Sequence, residues 1–271
     1  MPELPEVETT MRGVRPFVEG RVVKQAVVRE RRLRWPVPRD FNQKIEGLRI
    51  RSVSRRAKYI LFETGHGFVM IHLGMSGRLR VLPKDTPPLK HDHLDLVLSS
   101  GKSLRFHDPR RFGSVLWITG LPSEHRLLAA LGPEPFDQEL RPEYLYRLSR
   151  GKKVTVKQFI MDGKIVVGVG NIYASEALFR AGIRPGRAAG RVSHIAFARL
   201  LGEIRAVLSE AIEAGGTTLR DYSRVNGEPG YFEQSLNVYE RAGLPCVNCE
   251  KIVQRKVIGQ RASYYCPRCQ A

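Results

Sequence analysis

Several absences limit the classes of protein to which this 271-residue chain can belong. No apolar run approaches the roughly 18 residues that a membrane-spanning helix needs, and the first residues are acidic where a secretory signal is basic. Cysteine is confined to residues 246–271. Without a secretory signal, these cysteines are not expected to form disulfides. Internal repeats and low-complexity segments are also lacking. We therefore expect an ordered cytoplasmic protein.

Acidic residues are scarce beside basic ones. Asp and Glu number 27 against 45 Lys and Arg, which gives a formal net charge of +18 and a pI of about 10.2. A surplus of this size implies an anionic partner, and nucleic acid is the default expectation. The length allows two domains, although one large domain is also compatible with it.

The start of the chain places a secondary amine beside a carboxylic acid. Removal of Met1 would leave Pro2 at the N-terminus, and an ordinary α-amino group has a pKa of about 7.7–8.0. Condensed with an aldehyde-level carbon, this amine forms an iminium whose fixed positive charge withdraws electrons from neighbouring atoms. Glu3 is adjacent and can transfer protons at the carbon that the amine attacks. We expect Pro2 to be the nucleophile and Glu3 the general acid and base.

The residues after Glu3 predict a helix. Val7, Met11, Val14 and Phe17 recur at helical spacing, and Pro5 suits the first helical turn because its missing N–H needs no partner there. Acidic residues near a helix start often do no more than complement the helix dipole, so this role stays open for Glu6 and Glu8.

The four cysteines form two CxxC pairs with metal-site spacing. The pairs are separated by residues 250–265, within the range typical of a four-thiolate zinc ribbon. The ligands would be Cys246, Cys249, Cys266 and Cys269. Such a site is closed, so we expect one structural zinc ion. A disulfide pair or a redox motif is the less favoured alternative.

Between the cysteine pairs, residues 252–258 and 262–265 read as two strands joined by residues 259–261. Arg261 therefore lies at the turn of a basic hairpin. It is either solvated or in contact with nucleic acid, and the charge of the chain favours the contact.

The central region predicts two helices. A glycine-rich segment, residues 166–173, precedes a helix over 174–181, and Asn171 is its candidate N-cap, with an anion site at the N–H groups of that helix start. A second helix begins after Ser193 and ends at Gly215. Its expected buried positions are Ile195, Ala198, Leu201, Ile204, Leu208 and Ile212. A plain helical hairpin without a phosphate site is the alternative.

The first half of the chain reads as a β-rich domain, with strands over 67–73, 94–98, 103–106 and 114–118. Two loops between these strands carry Met75 on one and Arg110 with Phe112 on the other. An apolar wedge with an arginine suits insertion into a base stack, although Met75 can equally fill the core. Lys58 begins another strand and either holds a phosphate or is solvated.

These segments together resemble one family. The matching motifs are residues 2–8 (Pro-Glu-Leu-Pro-Glu-Val-Glu), Lys58, residues 72–77 (His-Leu-Gly-Met-Ser-Gly), residues 108–113 (Asp-Pro-Arg-Arg-Phe-Gly), residues 168–173 (Gly-Val-Gly-Asn-Ile-Tyr) and the zinc ribbon. In this order they resemble the bacterial formamidopyrimidine-DNA glycosylases, which are also called 8-oxoguanine DNA glycosylases.

The resemblance implies an α+β fold in three parts. These are an N-terminal β-sandwich domain with an N-terminal helix over 1–131, a helix-two-turns-helix domain over 132–236 and a four-cysteine zinc finger over 237–271. It also implies an enzyme that acts on duplex DNA containing an oxidised purine or an abasic site. We expect a monomer, because the sequence shows no heptad pattern and no obvious interface helix. The damaged base is everted and released through a Schiff base on the terminal proline, and the strand is cleaved by β,δ-elimination.

The resemblance also implies residue roles. Pro2, Glu3 and Lys58 would be catalytic, and Glu6 a supporting carboxylate. The DNA-binding residues would be His72, Met75, Arg110, Phe112, Lys157, Asn171 and Arg261. Residues 224–231 resemble the loop that closes over the everted base.

Two alternatives remain at this point. The endonuclease VIII branch shares the terminal proline and prefers oxidised pyrimidines, but its start reads Pro-Glu-Gly-Pro-Glu where this chain has Leu4. A non-catalytic zinc protein that binds nucleic acid would explain the charge and the cysteines. It would leave the N-terminal Pro2 and Glu3 without a purpose.

Overall fold

The structure is a computed structural model that describes residues 2–216 and 236–271. These residues divide into two compact units. The first contains residues 2–129 and 214–216, and the second contains residues 130–213 and 236–271. The loop over 224–231 that was expected from the sequence lies outside the described residues, and the division of the chain at residues 131 and 236 stays a prediction.

The first unit is a sandwich of two four-stranded antiparallel sheets with the strand orders β1-β6-β7-β5 and β2-β3-β4-β8. Its elements are α1 (Leu4–Val18), β1 (Val23–Val28), α2 (Phe41–Ile45), β2 (Ser52–Arg56), β3 (Tyr59–Glu63), β4 (Phe68–His72), β5 (Arg78–Pro83), β6 (Asp92–Leu98), β7 (Lys102–His107) and β8 (Ser114–Ile118). The four strands predicted from the sequence correspond to β4, β6, β7 and β8, with ends that differ by at most two residues.

The core of this unit follows from the period of two along each strand. Alternate residues of β3 and β4, such as Phe62 and Val69, join the same buried cluster as residues from the other sheet, such as Leu96 and Phe106. The helix α1 packs against β2 and β3 of one sheet and β5 and β7 of the other. The sandwich therefore holds the N-terminal segment in place.

The helix α1 begins with a capping box. Its buried stripe consists of Leu4, Val7, Met11, Val14 and Val18. The expectation that Phe17 belongs to this stripe is wrong, because its side chain is 37% exposed and the ammonium of Lys102 lies 4.2 Å from its ring centroid. Positions 17 and 18 both continue the helical spacing, and packing selected the second.

A buried ion cluster joins three strands of the first sheet. Arg105, which is 1% exposed, donates from Nε and Nη2 to the two carboxylate oxygens of Asp95, each at 2.8 Å. Arg29 adds a hydrogen bond of 2.7 Å to Asp95, and Arg80 donates to Asp92 at 2.6 Å. Bidentate geometry and several donors per carboxylate offset the cost of burying these charges.

The second unit combines four helices and a hairpin. Its elements are α3 (Pro142–Ser149), α4 (Val156–Met161), α5 (Asn171–Arg180), α6 (His194–Glu213), β9 (Gln254–Ile258) and β10 (Arg261–Tyr265). The helix α5 is central, since it packs against α4, α6 and β10. The α+β class with a β-sandwich, a helical part and a zinc hairpin is confirmed.

Two expectations for these helices need correction. Ser193 does cap α6, because its Oγ accepts the N–H of Ala196 at 3.2 Å. However, Ile195 is 77% exposed, Ala198 is exposed as well, and the buried stripe starts at Phe197. Asn171 is the first residue of α5 and not its cap, since the N-cap position belongs to Gly170.

The hairpin turn is tighter than the sequence suggested. Arg261 already pairs with Ile258, so only Gly259 and Gln260 form the turn, with φ angles of +55° and +62°. A two-residue turn with both central residues at positive φ matches the right-handed twist of the strands. Arg261 is therefore at the first position of β10.

Among the residues that the structure describes, no helix is long and apolar enough to cross a membrane.

The ion cluster leads to a stability prediction. Asp95→Ala should lower the free energy of unfolding by about 3 kcal/mol or more, because Arg105 would stay buried without its main partner. Urea unfolding monitored by circular dichroism measures this loss. Asp85, which is exposed, provides the control, and Asp85→Ala should change stability by less than about 0.5 kcal/mol. Equal effects of the two substitutions would contradict the role given to the cluster.

Candidate active site

The N-terminal residues are held by a reciprocal hydrogen-bond pair. Pro2 and Glu3 are both buried, and the backbone N–H of Glu3 donates to Oε2 of Glu6 at 2.8 Å. The side chain of Glu3 in turn accepts from the backbone N–H of Glu6. This arrangement fixes the backbone immediately after Pro2.

Glu6 is fully buried beside Gly216. A Cβ on Gly216 would lie 3.2 Å from a carboxylate oxygen of Glu6, and its φ of +85° also favours glycine. The carboxylate of Glu6 thus completes the capping box and holds the backbone of Glu3. Its role as a supporting carboxylate in catalysis stays a prediction.

Lys58 lies in the two-residue turn between β2 and β3, after Ala57 at a φ of +53°. The guanidinium of Arg55 braces this turn by donating to the carbonyl of Ala57 at 2.8 Å, and it donates from Nε to Glu8 at 2.7 Å. The residue with the positive φ is thus held by an arginine that also reaches α1. The same pair connects the helix that carries Glu6 with the turn that carries Lys58.

The pair is ionic at neutral pH. Burial alone would raise the pKa of Glu8, but hydrogen bonds and positive charge from Arg55 and Arg12 hold the pKa below its ordinary value. Glu8 therefore forms an ion pair that links α1 to the turn of Lys58, which goes beyond the helix-dipole role considered for it from the sequence. Arg55 was not singled out from the sequence, although a Glu on the partly buried side of a helix and a basic run elsewhere in the chain were available signals.

His72 is the last residue of β4, and its neutral imidazole can donate a hydrogen bond. The backbone N–H of Gly74 donates to its Nδ1 at 2.9 Å, so the ring proton of the neutral form is on Nε2. Burial, together with the positive charges of Lys58 and Arg34, lowers the pKa of His72 to about 4. A neutral imidazole that presents an N–H beside a lysine can hydrogen-bond an anionic oxygen without a change of charge.

The two loops singled out from the sequence meet at one buried carboxylate. Asp108 accepts from Oγ of Ser76 at 2.7 Å and from the backbone N–H of Gly113 at 2.8 Å. The backbone N–H of Arg110 in turn donates to Oγ of Ser76 at 3.2 Å. Gly74 lies so close to residues 112 and 113 that a Cβ there would be 2.4 Å from backbone atoms. The loops over 74–77 and 108–113 are thus joined into a single rigid platform.

This platform carries three of the side chains that were predicted to bind DNA. Arg110 and Phe112 are exposed, and the guanidinium carbon of Arg110 lies 4.9 Å from the ring centroid of Phe112. Met75 is half-buried. Phe112 is 43% exposed, which is unusual for an aromatic side chain on so rigid a support. Exposed apolar and guanidinium groups on a fixed platform suit intrusion between stacked bases.

In the second unit, Lys157 lies inside the protein and not on its surface. Its side chain is 1% exposed, and its ammonium donates to Oδ1 of Asn171 and to Oγ of Ser263, both at 2.7 Å. It also donates to the carbonyl of Ala262 at 3.2 Å. A direct contact of Lys157 with DNA stays a prediction, and its observed contacts make it a positioning residue.

Asn171 is oriented by the same contacts. Its Oδ1 accepts from Lys157, and its Nδ2 donates to the carbonyl of Ala262 at 3.0 Å. Ala262 follows Arg261, whose side chain is exposed at the hairpin tip. Lys157 therefore fixes Asn171 together with the start of β10, next to the hairpin turn.

Glu176 is an anchor that sequence reasoning missed. Its buried carboxylate accepts four hydrogen bonds of 2.8–2.9 Å, from the backbone N–H groups of Asn237, Val238 and Tyr239 and from Nδ2 of Asn237. Val238 belongs to the buried cluster that contains Cys246. The signal was a carboxylate in the middle of an otherwise apolar helix.

The four cysteines converge as the zinc ribbon requires. Their Sγ atoms all lie within 4.8 Å of one another, and two of the pairs are 3.9 and 3.5 Å apart. Tetrahedral zinc with Zn–S bonds of about 2.3 Å places its sulfur atoms about 3.8 Å apart. The donor set and its spacing therefore fit a structural zinc ion held by Cys246, Cys249, Cys266 and Cys269.

The thiols also show why a cation is needed there. Burial alone would raise the pKa of Cys266, but backbone N–H groups of Cys269 and Arg268 and the adjacent thiols lower it to about 7. Hydrogen bonding to Cys249, together with burial, raises the pKa of Cys269 to about 12. Four neighbouring sulfurs cannot all ionise unless a metal ion compensates their charge.

Comparison with known proteins accounts for nearly the whole chain. Residues 1–115 match the Formamidopyrimidine-DNA glycosylase N-terminal domain, residues 131–223 match the Formamidopyrimidine-DNA glycosylase H2TH domain, and residues 243–271 match the zinc finger found in FPG and IleRS. The chain belongs to the formamidopyrimidine-DNA glycosylase family. The resemblance read from the sequence motifs is confirmed.

Individual members of this glycosylase family are similar over their full length. The formamidopyrimidine-DNA glycosylase of Syntrophotalea carbinolica is 59% identical over 270 residues, which is 100% of both chains. The crystal structure of MutM (Fpg) from Thermus thermophilus has a TM-score of 0.89 and 40% identity, covering 99% of this chain and 98% of that one.

A Lactococcus lactis Fpg mutant in complex with a Fapy-dG containing DNA superimposes with a TM-score of 0.91 at 30% identity over 99% of each chain. Full-length relatives that carry the formamidopyrimidine name favour this branch over the endonuclease VIII alternative. The zinc finger expected from the cysteine spacing is likewise confirmed.

The environment of His72 predicts its titration. Its native pKa of about 4 lies below the ordinary 6.5, so an unfolded chain binds a proton between pH 6.5 and 4 while the native chain does not. The stabilising contribution of neutral His72 is therefore complete above that interval and declines as the pH falls through it. Nitrogen-15 NMR of the imidazole should show a neutral ring with the proton on Nε2 at pH 7. A ring proton on Nδ1, or a positively charged ring at pH 6, would contradict this assignment.

The metal centre predicts a simple stoichiometry. The purified chain should contain one zinc ion, and Cys249→Ser should lose most of it, because removal of one of four thiolates weakens the site. Elemental analysis measures the zinc content. Asn248→Ala, one residue away and exposed, should keep its zinc. Retention of a full equivalent by Cys249→Ser would show that this thiol is not a ligand.

Proposed function

We propose that this chain is a bifunctional DNA repair enzyme that excises oxidised purines, 8-oxoguanine and formamidopyrimidines, from duplex DNA and then cleaves the abasic strand. The observation that carries this proposal is the N-terminal arrangement, in which Glu6 holds Glu3 directly after Pro2. The bound Fapy-dG DNA of the Lactococcus lactis relative supports the choice of substrate.

The chemistry begins when Met1 has been removed and the nitrogen of Pro2 is free. This nitrogen attacks C1′ of the deoxyribose, and the bond from C1′ to the base breaks. The base leaves with the bonding electrons and takes up the proton that the nitrogen of Pro2 loses when it bonds to C1′. Glu3 protonates the ring oxygen O4′ as the sugar opens, which leaves an iminium between Pro2 and C1′.

The iminium then drives strand cleavage. Because its nitrogen is positively charged, loss of a proton from C2′ is favoured, and the electrons expel the 3′ phosphate in the β-elimination. A further proton loss expels the 5′ phosphate in the δ-elimination. Water hydrolyses the remaining iminium and frees Pro2, so that the gap carries phosphate at both ends.

Lys58 and His72 hold the DNA backbone at the lesion. The ammonium of Lys58 supplies charge, and the Nε2 proton of neutral His72 donates a hydrogen bond to a phosphate oxygen. Their proximity is supported by the lowering of the pKa of His72 by the charge of Lys58. The brace from Glu8 through Arg55 keeps the turn of Lys58 in register with α1.

Met75, Arg110 and Phe112 fill the space that the everted base leaves. Eversion costs a few kcal/mol, and side chains that enter the stack recover part of this cost. Arg110 faces the orphaned cytosine. The rigid platform that Ser76 and Asp108 hold together supports the proposal, because side chains on a mobile loop would lose more conformational entropy on insertion into the DNA.

The second unit grips the DNA backbone through Asn171 and Arg261. Lys157 orients both of them from inside the protein, and the zinc ion stabilises the hairpin that carries Arg261. The three parts of the chain, residues 1–131, 132–236 and 237–271, thus divide catalysis, backbone binding and hairpin support. A bacterial cytoplasm, where the DNA is located, is the compartment we infer.

Reductive trapping tests the proposal. Borohydride should link the wild-type chain to DNA that contains 8-oxoguanine, and peptide mapping should place the link at Pro2. Glu3→Gln should slow base release by about 100-fold or more, because general acid catalysis typically contributes that much. Glu124→Gln, an exposed substitution in the same unit, should leave the rate unchanged.

N-terminal sequencing of the expressed protein establishes that Met1 is absent. Two outcomes would refute the proposed function. One is a covalent link at a lysine side chain with undiminished activity of Pro2→Gly. The other is faster release of thymine glycol than of 8-oxoguanine from otherwise identical duplexes.

A further inference from the structure

Three segments of the second unit are rich in cations and contain no acidic residue. Residues 144–161, 177–202 and 251–271 each carry five Lys or Arg and no Asp or Glu, whereas the whole chain has 27 acidic residues. Most of these cations belong to no site described above. An uncompensated concentration of one charge destabilises the folded state unless an anion binds there.

The fold brings these three segments together. The backbone N–H of Val156 donates to the carbonyl of Arg187 at 2.7 Å, and that of Arg184 donates to the carbonyl of Ala271 at 2.9 Å. Lys157 links the first segment to Ser263 of the third. The three segments therefore contact one another within the unit.

The second and third of these segments line a groove of about 620 Å³. Four of its lining residues are cations, Arg184, Arg187, Arg191 and Lys256, and none is acidic. Within the described part of the chain, no acidic side chain forms an ion pair with any of these four. We call it the arginine groove.

In the arginine groove, one cation is held against the protein and the cationic side chains are accessible to solvent. The guanidinium of Arg184 donates to the carbonyl of Pro267 at 3.1 Å and lies 5.6 Å from the ring centroid of Tyr265. Arg187, Arg191 and Lys256 are exposed. One of the four cations is therefore held by a hydrogen bond, and all four are exposed.

The groove adjoins the hairpin tip. Ile258 lines it and also lines a smaller groove of about 170 Å³, in which the cations Lys157 and Arg261 outnumber the single acidic residue, Asp162. A chain of phosphates that passes Arg261 can therefore continue along β9 toward Lys256. Arginine suits such a ligand, because its planar guanidinium binds phosphate oxygens in pairs.

We propose that the arginine groove binds the phosphodiester backbone of the duplex that flanks the lesion. The inference rests on the proposed function for the identity of the DNA, and it extends the protein–DNA contact beyond Asn171 and Arg261. Because phosphate contacts carry no base information, the groove adds affinity for every sequence. It does not act on the chemical step.

The test compares two triple variants of equal charge. The groove variant is Arg187→Gln, Arg191→Gln and Lys256→Gln. The matched control is Lys24→Gln, Arg39→Gln and Lys84→Gln, which removes three exposed cations from the first unit. Both variants lose three charges, so a difference between them reports position and not net charge. Circular dichroism and zinc content verify that both variants are folded.

Fluorescence anisotropy across a potassium chloride series measures the Kd for a duplex with one abasic-site analogue. The slope of log Kd against log salt should become shallower by about 0.9 for each phosphate that the variant no longer neutralises, hence by about 2 to 3 in the groove variant. The control should retain the wild-type slope. Single-turnover excision at saturating enzyme should be the same for all three proteins.

Equal slopes for the groove variant and the control would overturn the proposal. The single variant Arg191→Gln gives a second measure, with an expected slope change of about 0.9. Failure of the proposed function would be recognised separately, because the wild-type chain would then form no borohydride adduct. In that case the salt slopes would still decide whether the arginine groove binds DNA.

Discussion

Buried carboxylates that accept several hydrogen bonds organise both units of this chain. Glu6 holds the backbone after Pro2, Asp108 joins two loops whose bonded residues are 32 positions apart in sequence, and Glu176 gathers backbone donors about 60 positions away. A carboxylate has about four lone-pair sites, so one buried side chain can fix several segments. Each such group is stabilising only while its donors are in place, which makes these contacts mutually dependent.

This use of acidic residues affects the surface. The chain has 27 acidic residues for 45 basic ones, and several of the acids are inside the protein. The exposed surface is therefore still more basic than the net charge of +18 implies. Long-range attraction to DNA follows from the same arrangement that stabilises the fold, and it is independent of base sequence.

Rigid supports and exposed tips recur in the proposed DNA contacts. Arg110 and Phe112 are carried by the platform that Asp108 holds together. Arg261 lies on a hairpin that Lys157 holds beside the turn and that the zinc site holds at the opposite end. A side chain on a rigid platform loses little conformational freedom when DNA binds. More of the binding free energy therefore remains to offset the cost of everting the damaged base. The same logic explains why Lys157 is more useful inside the protein than on its surface.

Local features of the sequence determined a large part of this protein. The strands β4, β6, β7 and β8, the CxxC pairs and the juxtaposition of Pro2 with Glu3 all depend on spacings of a few residues, which backbone geometry translates directly into structure. Tertiary structure decided the rest. It buried Lys157, exposed Ile195 and gave Glu176 its partners, because burial of a side chain depends on which distant segments pack against it, and no local spacing encodes that.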